Sequence, residues 1–266
     1  ILPKARCQQP RPPDNSVVVE WLESANIRLN GIIHIRYYLR NTDNKSELGG
    51  LMSDTAYLYV FDTMADWEPA FLMAELRTGR YFKHDRAPYE VKTVALTDEP
   101  VVTMGGLRII PDCTLKDCHP DNSAVLILPG GETWLEPIHT GIFAKAEEFL
   151  ARGLVVAGIC GATIGLAQAG FLNNRYHTSN NLDYLKAITN NYTGEDKYCQ
   201  KLAVTDGGLV TASGIAPIEF TYEVLRVLDV FETPTLEAWY QLYKTGEGKY
   251  FIALMAAVDL AKLKMI

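Results

Sequence analysis

From residue 56 onward, short apolar runs alternate with longer stretches in which apolar positions recur every three or four residues. Runs too short for a helix and bounded by Gly, Pro or Asp read as strands, and the amphipathic stretches read as helices. Residues 56–61, 124–128 and 154–159 are apolar without alternation, which predicts strands buried on both faces. Residues 89–96 alternate and predict a further strand. Residues 101–110, broken by Gly105-Gly106, predict a hairpin or a pair of short extended segments. Helices are predicted over 69–77, 135–151, 161–169, 218–228 and 251–263, and strands over 201–204 and 209–212 flank the turn Asp206-Gly207-Gly208. This order is that of βα units around a doubly wound, mostly parallel sheet, a fold class in which sites gather at the carboxyl ends of the strands.

The first fifty residues break the pattern. Pro3, Pro10, Pro12 and Pro13 crowd the start, and a polar stretch over 41–50 ends in Gly49-Gly50. Met52-Ser53-Asp54 then reads like a start followed at once by a strand. The expected organisation is an N-terminal extension or leader over 1–51, outside the main fold, and one domain over 52–266.

Charge narrows the function. The chain of 266 residues carries a formal charge of −7, and the part beyond residue 51 is more acidic still, with 18 basic against 27 acidic residues. That balance argues against a nucleic-acid or anionic-membrane surface. No window approaches the roughly 20 apolar residues of a membrane span, and no signal-peptide pattern opens the chain. Five cysteines, at 7, 113, 118, 160 and 199, are odd in number and scattered, which predicts free thiols in a reducing compartment, hence a cytoplasmic protein.

One cysteine stands apart. In Gly158-Ile159-Cys160-Gly161-Ala162 a buried strand must turn abruptly into a helix, and the small residues permit that turn, as in a nucleophile elbow with sulfur in place of hydroxyl. A thiol at a helix N-terminus is expected to have a lowered pKa. Two other strand ends supply partners: Pro129-Gly130-Gly131 offers backbone amides that, with the N–H of Gly161, could receive an oxyanion, and Asp66-Trp67-Glu68-Pro69 delivers a carboxyl that could share a proton with the thiol. Among five histidines, His177 is the preferred base, because it lies in the polar stretch after the elbow helix. His34, His84, His119 and His139 are expected to be surface imidazoles. Cys113, Cys118 and His119 lack a second ligand pair at zinc spacing, so no metal is expected.

The set Asp66-Trp67-Glu68, Leu128-Pro129-Gly130-Gly131, Gly158-Ile159-Cys160-Gly161-Ala162 and Arg175-Tyr176-His177-Thr178-Ser179-Asn180 resembles the PfpI family of the class I glutamine amidotransferase-like superfamily. Thr211-Ala212-Ser213-Gly214 and Pro217-Ile218-Glu219-Phe220 resemble it too, so the likeness spans about residues 54 to 230. The resemblance implies a flavodoxin-like three-layer α/β/α sandwich, a homodimer, Cys160 as nucleophile with Glu68 hydrogen-bonded to its sulfur and His177 nearby, and no cofactor. Glutaminase members place a His two residues before a Glu near the end of the domain. Here Pro217 precedes Glu219 at that spacing, so glutamine amidotransfer is not expected. After residue 230 only some 36 residues remain, too few for the helix-turn-helix module of the family's transcription regulators.

The expected activity is that of a cysteine-dependent hydrolase, the intracellular protease or amidase that the family is commonly described as, acting on a small-molecule or peptide substrate. The alternatives are a glyoxalase or deglycase acting on reactive aldehydes, and a non-enzymatic cysteine redox sensor.

Overall fold

The computed structural model describes residues 54–263, with side chains through residue 258; the expected extension over 1–51 lies outside the described residues. Among the described residues nine strands are formed: β1 Thr55–Tyr59, β2 Glu90–Ala95, β3 Val101–Val102, β4 Arg108–Ile109, β5 Cys113–Thr114, β6 Ser123–Leu128, β7 Val155–Ile159, β8 Ala203–Asp206 and β9 Leu209–Ala212. Seven make one sheet in the order β5-β2-β1-β6-β7-β9-β8, and β3 and β4 form a separate antiparallel hairpin. All neighbours in the large sheet run parallel except β8 and β9.

The helices are α1 Ala70–Thr78, α2 Thr140–Ala151, α3 Gly161–Gln168, α4 Leu182–Ile188, α5 Pro217–Val227, α6 Thr233–Thr245 and α7 Gly248–Leu263. Every residue of β1, β6 and β7 is buried, as it must be where helices cover both faces of a parallel sheet. On β7 and β9 lies α5, with α1 packed against it; α2 packs on β6 and β7. The result is the three-layer, flavodoxin-like α/β/α arrangement expected from the sequence.

The strand order fixes where chemistry can occur. From β1 the chain passes to β2 on one side, then returns to place β6 on the other side of β1, so the direction of winding reverses between β1 and β6. At such a switch the loops leaving adjacent strands diverge and open a crevice at their carboxyl ends. The loops after β1, β6 and β7 carry Glu68, Gly130-Gly131 and Cys160.

Three elements went unread in the sequence: β5, α4 and α6. The last has ordinary start and stop signals, with Pro234 in its first turn and Gly246 at φ 71° after its end, where a left-handed residue closes a helix at little cost. Its docking depends on a buried charge. Glu75 on α1, 2% exposed, accepts the indole N–H of Trp239 on α6 at 3.0 Å and pairs with the guanidinium of Arg80.

Removing one partner of a buried charge costs more than neutralising the charge in place. Arg80→Ala is therefore expected to lower stability by about 3 kcal/mol, at the low end for such pairs because Arg80 is half-exposed. Glu75→Gln, which keeps an acceptor for Trp239, should cost under about 1.5 kcal/mol. Urea unfolding of the two variants measures the order; a larger loss for Glu75→Gln contradicts it.

Candidate active site

Cys160 sits between β7 and α3 at φ 57°, ψ −121°. A non-glycine residue in that region stores about 1–3 kcal/mol of strain and persists only where its surroundings over-determine it. Here its N–H donates to Ala212 O at 2.9 Å, and its carbonyl accepts from the Thr163 hydroxyl at 2.6 Å and the Thr163 N–H at 3.1 Å. The turn aims a partly exposed sulfur at the crevice.

Glu68 precedes α1 but does not cap it. Its side chain, 1% exposed, turns inward, and Oε2 accepts the N–H of Gly130 at 2.5 Å. The other oxygen, Oε1, is buried without a conventional hydrogen-bond partner and interacts with the Cys160 thiol. Both atoms face one spot beside Gly214, where a Cβ would come within 2.6 Å of Cys160 Sγ and 3.1 Å of Glu68 Oε1. Only a glycine after β9 leaves room for the pair.

Burial pushes the Glu68 carboxyl up to about 7, against the pull of the Gly130 N–H and the thiol. Since Oε2 is occupied by a donor, the proton of the neutral acid belongs on Oε1, toward sulfur. The thiol also moves up, through burial first and the Glu68 charge, while the Asn180 amide and the Gly161 N–H pull it down. The expectation of a thiol lowered by its helix is thus corrected: two backbone-scale dipoles do not outweigh desolvation and an adjacent carboxylate.

His177 is placed differently from the expected base. The ring is fully buried, with Nδ1 bonded to Arg175 O at 2.7 Å and Nε2 to the Tyr192 hydroxyl at 2.8 Å, and burial lowers its pKa. Both nitrogens are engaged away from the sulfur. The residue bonded to Cys160 Sγ is Asn180, whose Nδ2 donates at 3.3 Å. Its Oδ1 accepts from Gly214 N–H at 2.8 Å and Ser213 Oγ at 3.3 Å, which fixes the amide with its donor toward sulfur. The sequence offered Asn180 only as part of a run; nothing in local pattern marks a side chain whose role depends on where a loop returns.

The three glycines separate as well. Gly130 spends its N–H on Glu68 and cannot also receive an oxyanion, correcting that expectation. The N–H of Gly161 points at Cys160, and among the described residues the N–H of Gly131 has no hydrogen-bond partner. These two lie side by side, since a Cβ on Gly161 would fall 3.1 Å from Gly131 N.

The family model described as DJ-1/PfpI matches residues 54–227. The chain belongs to the DJ-1/PfpI family. It is 52% identical over 203 residues to "Uncharacterized protease YoaZ" of Bacillus subtilis, covering 76% of this chain and 97% of that protein. It is 34% identical over 179 residues to "Uncharacterized protease YdeA" of the same organism, covering 67% and 85%. Among solved structures, a thiJ/pfpI family protein from Bacillus anthracis superimposes with a TM-score of 0.74 at 50% identity, covering 78% of this chain and 98% of that one. A DJ-1 superfamily protein from Agrobacterium tumefaciens gives 0.65 at 34%, covering 73% and 99%.

Two further expectations are corrected. Cys113, Cys118 and Cys160 are free, but Cys199 is disulfide-bonded, correcting the expectation of free thiols throughout. His139 is fully buried, not a surface imidazole, and burial pushes it down to about 4. Among the described residues no three His, Cys, Asp or Glu side chains group to hold a metal ion, and no helix is long and apolar enough to cross a membrane.

Glu68 and His139 pull stability in opposite directions with pH. The native state keeps the Glu68 proton up to about 7, whereas an ordinary carboxyl loses it near 4.5, so this contribution is present below 4.5 and is lost as pH rises to 7. His139 stays neutral down to about 4 instead of 6.5, so its contribution is present above 6.5 and is lost as pH falls to 4. Between pH 4.5 and 6.5 the two slopes largely cancel. Glu68→Gln removes one of them, and its stability should gain on the wild type by roughly 1.4 kcal/mol per pH unit across that window. Denaturant unfolding at pH 4.5, 5.5 and 6.5 measures this; parallel profiles rule out a raised Glu68.

Proposed function

We propose that this protein is a cysteine-dependent hydrolase of amide or small peptide substrates. The observation that carries the reading is the Cys160 thiol held between a half-neutralised carboxyl, Glu68, and two adjacent N–H groups, those of Gly131 and Gly161. As sulfur attacks the carbonyl carbon, its proton passes to Glu68 Oε1 and the carbonyl oxygen takes the negative charge against the two N–H groups. Glu68 then gives that proton to the departing amine, leaving a thioester. Water, losing a proton to the same carboxylate, releases the acid and restores the thiol. A carboxyl near 7 suits both directions of transfer at neutral pH. The relatives in Bacillus subtilis named as proteases support the hydrolase reading.

One observation favours a second reading. With both nitrogens of His177 engaged elsewhere, no imidazole among the described residues stands by to assist an amine leaving group. Addition to a reactive aldehyde needs none: thiol and carbonyl combine, and Glu68 only relays the thiol proton.

Purified protein assayed on peptide amides and on methylglyoxal separates the two. Turnover of the preferred class should vanish in Cys160→Ala and fall about a hundredfold in kcat in Glu68→Gln. His177→Gln should leave the pH–rate profile in place. Absence of Cys160-dependent turnover of either class overturns both readings.

A further inference from the structure

Behind the two N–H groups lies a buried assembly that the mechanism does not use. The indole of Trp134, 3% exposed, donates its Nε1–H to Pro129 O at 2.9 Å. The same ring fills the space over α3: a Cβ on Gly161 would lie 2.9 Å from Trp134 Cδ1, and one on Gly165 2.7 Å from Trp134 Cε3. One ring therefore touches both strand ends that supply the N–H groups.

The indole is itself held. It stacks on His139 with centroids 4.7 Å apart and planes 26° apart, and Phe61 meets both rings edge-on at 5.3 and 4.9 Å. His139 Nδ1 bonds to the Tyr59 hydroxyl on β1 at 3.0 Å, and Nε2 to Thr133 Oγ1 at 2.9 Å. A neutral imidazole has one donor and one acceptor, and two hydroxyls can complement both, so the ring is satisfied without charge. No member of this group touches Cys160 Sγ or Glu68 in a hydrogen bond.

We propose that Trp134, locked by His139, is a positioning residue that sets the N–H groups of Gly131 and Gly161 at the separation and direction an oxyanion requires. The inference rests on the reading of those two groups as the oxyanion site. Stabilisation by fixed dipoles depends on their orientation before reaction, and a backbone turn of small residues does not hold itself to the required fraction of an ångström without such support. The turn at 129–131 is tied on its other side by Ala65 N–H on Gly130 O and Glu132 N–H on Thr63 Oγ1; toward α3 it meets the backbone at Gly161, and the indole packs over both.

The test compares two reactions of the same sulfur. Addition of Cys160 to 3-phenylpropanal forms an S–C bond while the carbonyl electrons move to oxygen, which gains the thiol proton; nothing leaves and nothing is oxidised. Displacement of iodide from iodoacetamide develops no oxyanion. Aldehyde affinity is read as protection of Cys160 from iodoacetamide, followed on the Cys160 peptide by mass spectrometry. In Trp134→Phe, which keeps an aromatic ring but loses the bond to Pro129, aldehyde affinity should fall about tenfold relative to the alkylation rate without aldehyde. Tyr59→Phe, which frees one end of His139, should give a smaller loss in the same ratio and serves if Trp134→Phe does not fold. Equal protection in wild type and folded variants overturns the positioning role and leaves the oxyanion reading intact. No protection of the wild type overturns the oxyanion reading, and the positioning role with it.

Discussion

The contact on which the site depends is the buried hydrogen bond from Gly130 N–H to Glu68 Oε2. It joins the loop leaving β1 to the loop leaving β6 across the place where the sheet reverses its winding, and Ala65 N–H on Gly130 O repeats the tie one step away. A carboxylate taken out of water is costly unless its oxygens are met by donors. One donor satisfies Oε2. Oε1 has no conventional partner, so the cheapest state of the group is the neutral acid with its proton toward the sulfur, which is why Glu68 rises to about 7 rather than ionising. The same bond occupies the N–H of Gly130, whereas the N–H of the neighbouring Gly131 has no hydrogen-bond partner among the described residues.

The elbow is the complementary constraint. Cys160 accepts a left-handed backbone because Ala212, Thr163 and the helix start give it no relaxed alternative, and Gly214 permits β9 to end against its side chain. Four strand ends converge on one sulfur: β1 brings the carboxyl, β6 an amide, β7 the cysteine, and β9 the glycine that leaves room and anchors Asn180. Each arrives by ordinary βα winding, so the arrangement follows from strand order and small residues at the turns.

That logic explains how far the sequence could be read. Strands buried on both faces announce themselves as unbroken apolar runs, and residues directly after them can be assigned to one edge of the sheet; that reasoning puts Cys160, Glu68, Gly131 and Gly161 near one another, where the structure also has them. Residues placed by a returning loop were not. The segment 176–180 is set by Tyr176 N–H on Asp206 Oδ2 and Thr178 N–H on Thr211 Oγ1, contacts 30 and 33 residues apart in the chain, and by the His177 bond to the Tyr192 hydroxyl, 15 residues away; such contacts leave no periodic trace. Reading that loop locally favoured its histidine, whose ring proves to be an anchor, over its asparagine, which reaches the sulfur. Likewise β5, two residues long, carries no pattern to detect, whereas α6 went unread although Pro234 and Gly246 mark its two ends.

The electrostatics of the pair then constrain the chemistry. Thiol and carboxyl are both raised by burial; the Glu68 charge raises the thiol further, while the thiol's hydrogen bond pulls the carboxyl back down, so the two titrate as a unit. Around neutral pH the pair holds between one and two protons, and the reactive form is the one-proton state with the negative charge on sulfur. Asn180 Nδ2 and the N–H of Gly161 favour that form by donating to sulfur, and the Glu68 proton on Oε1 favours it again. An imidazole at the Asn180 position could carry a proton of its own; an amide can only donate a hydrogen bond. Among the described residues Glu68 is the charged group that acts on this sulfur, so any carbonyl addition here would depend on the protonation of that one buried acid.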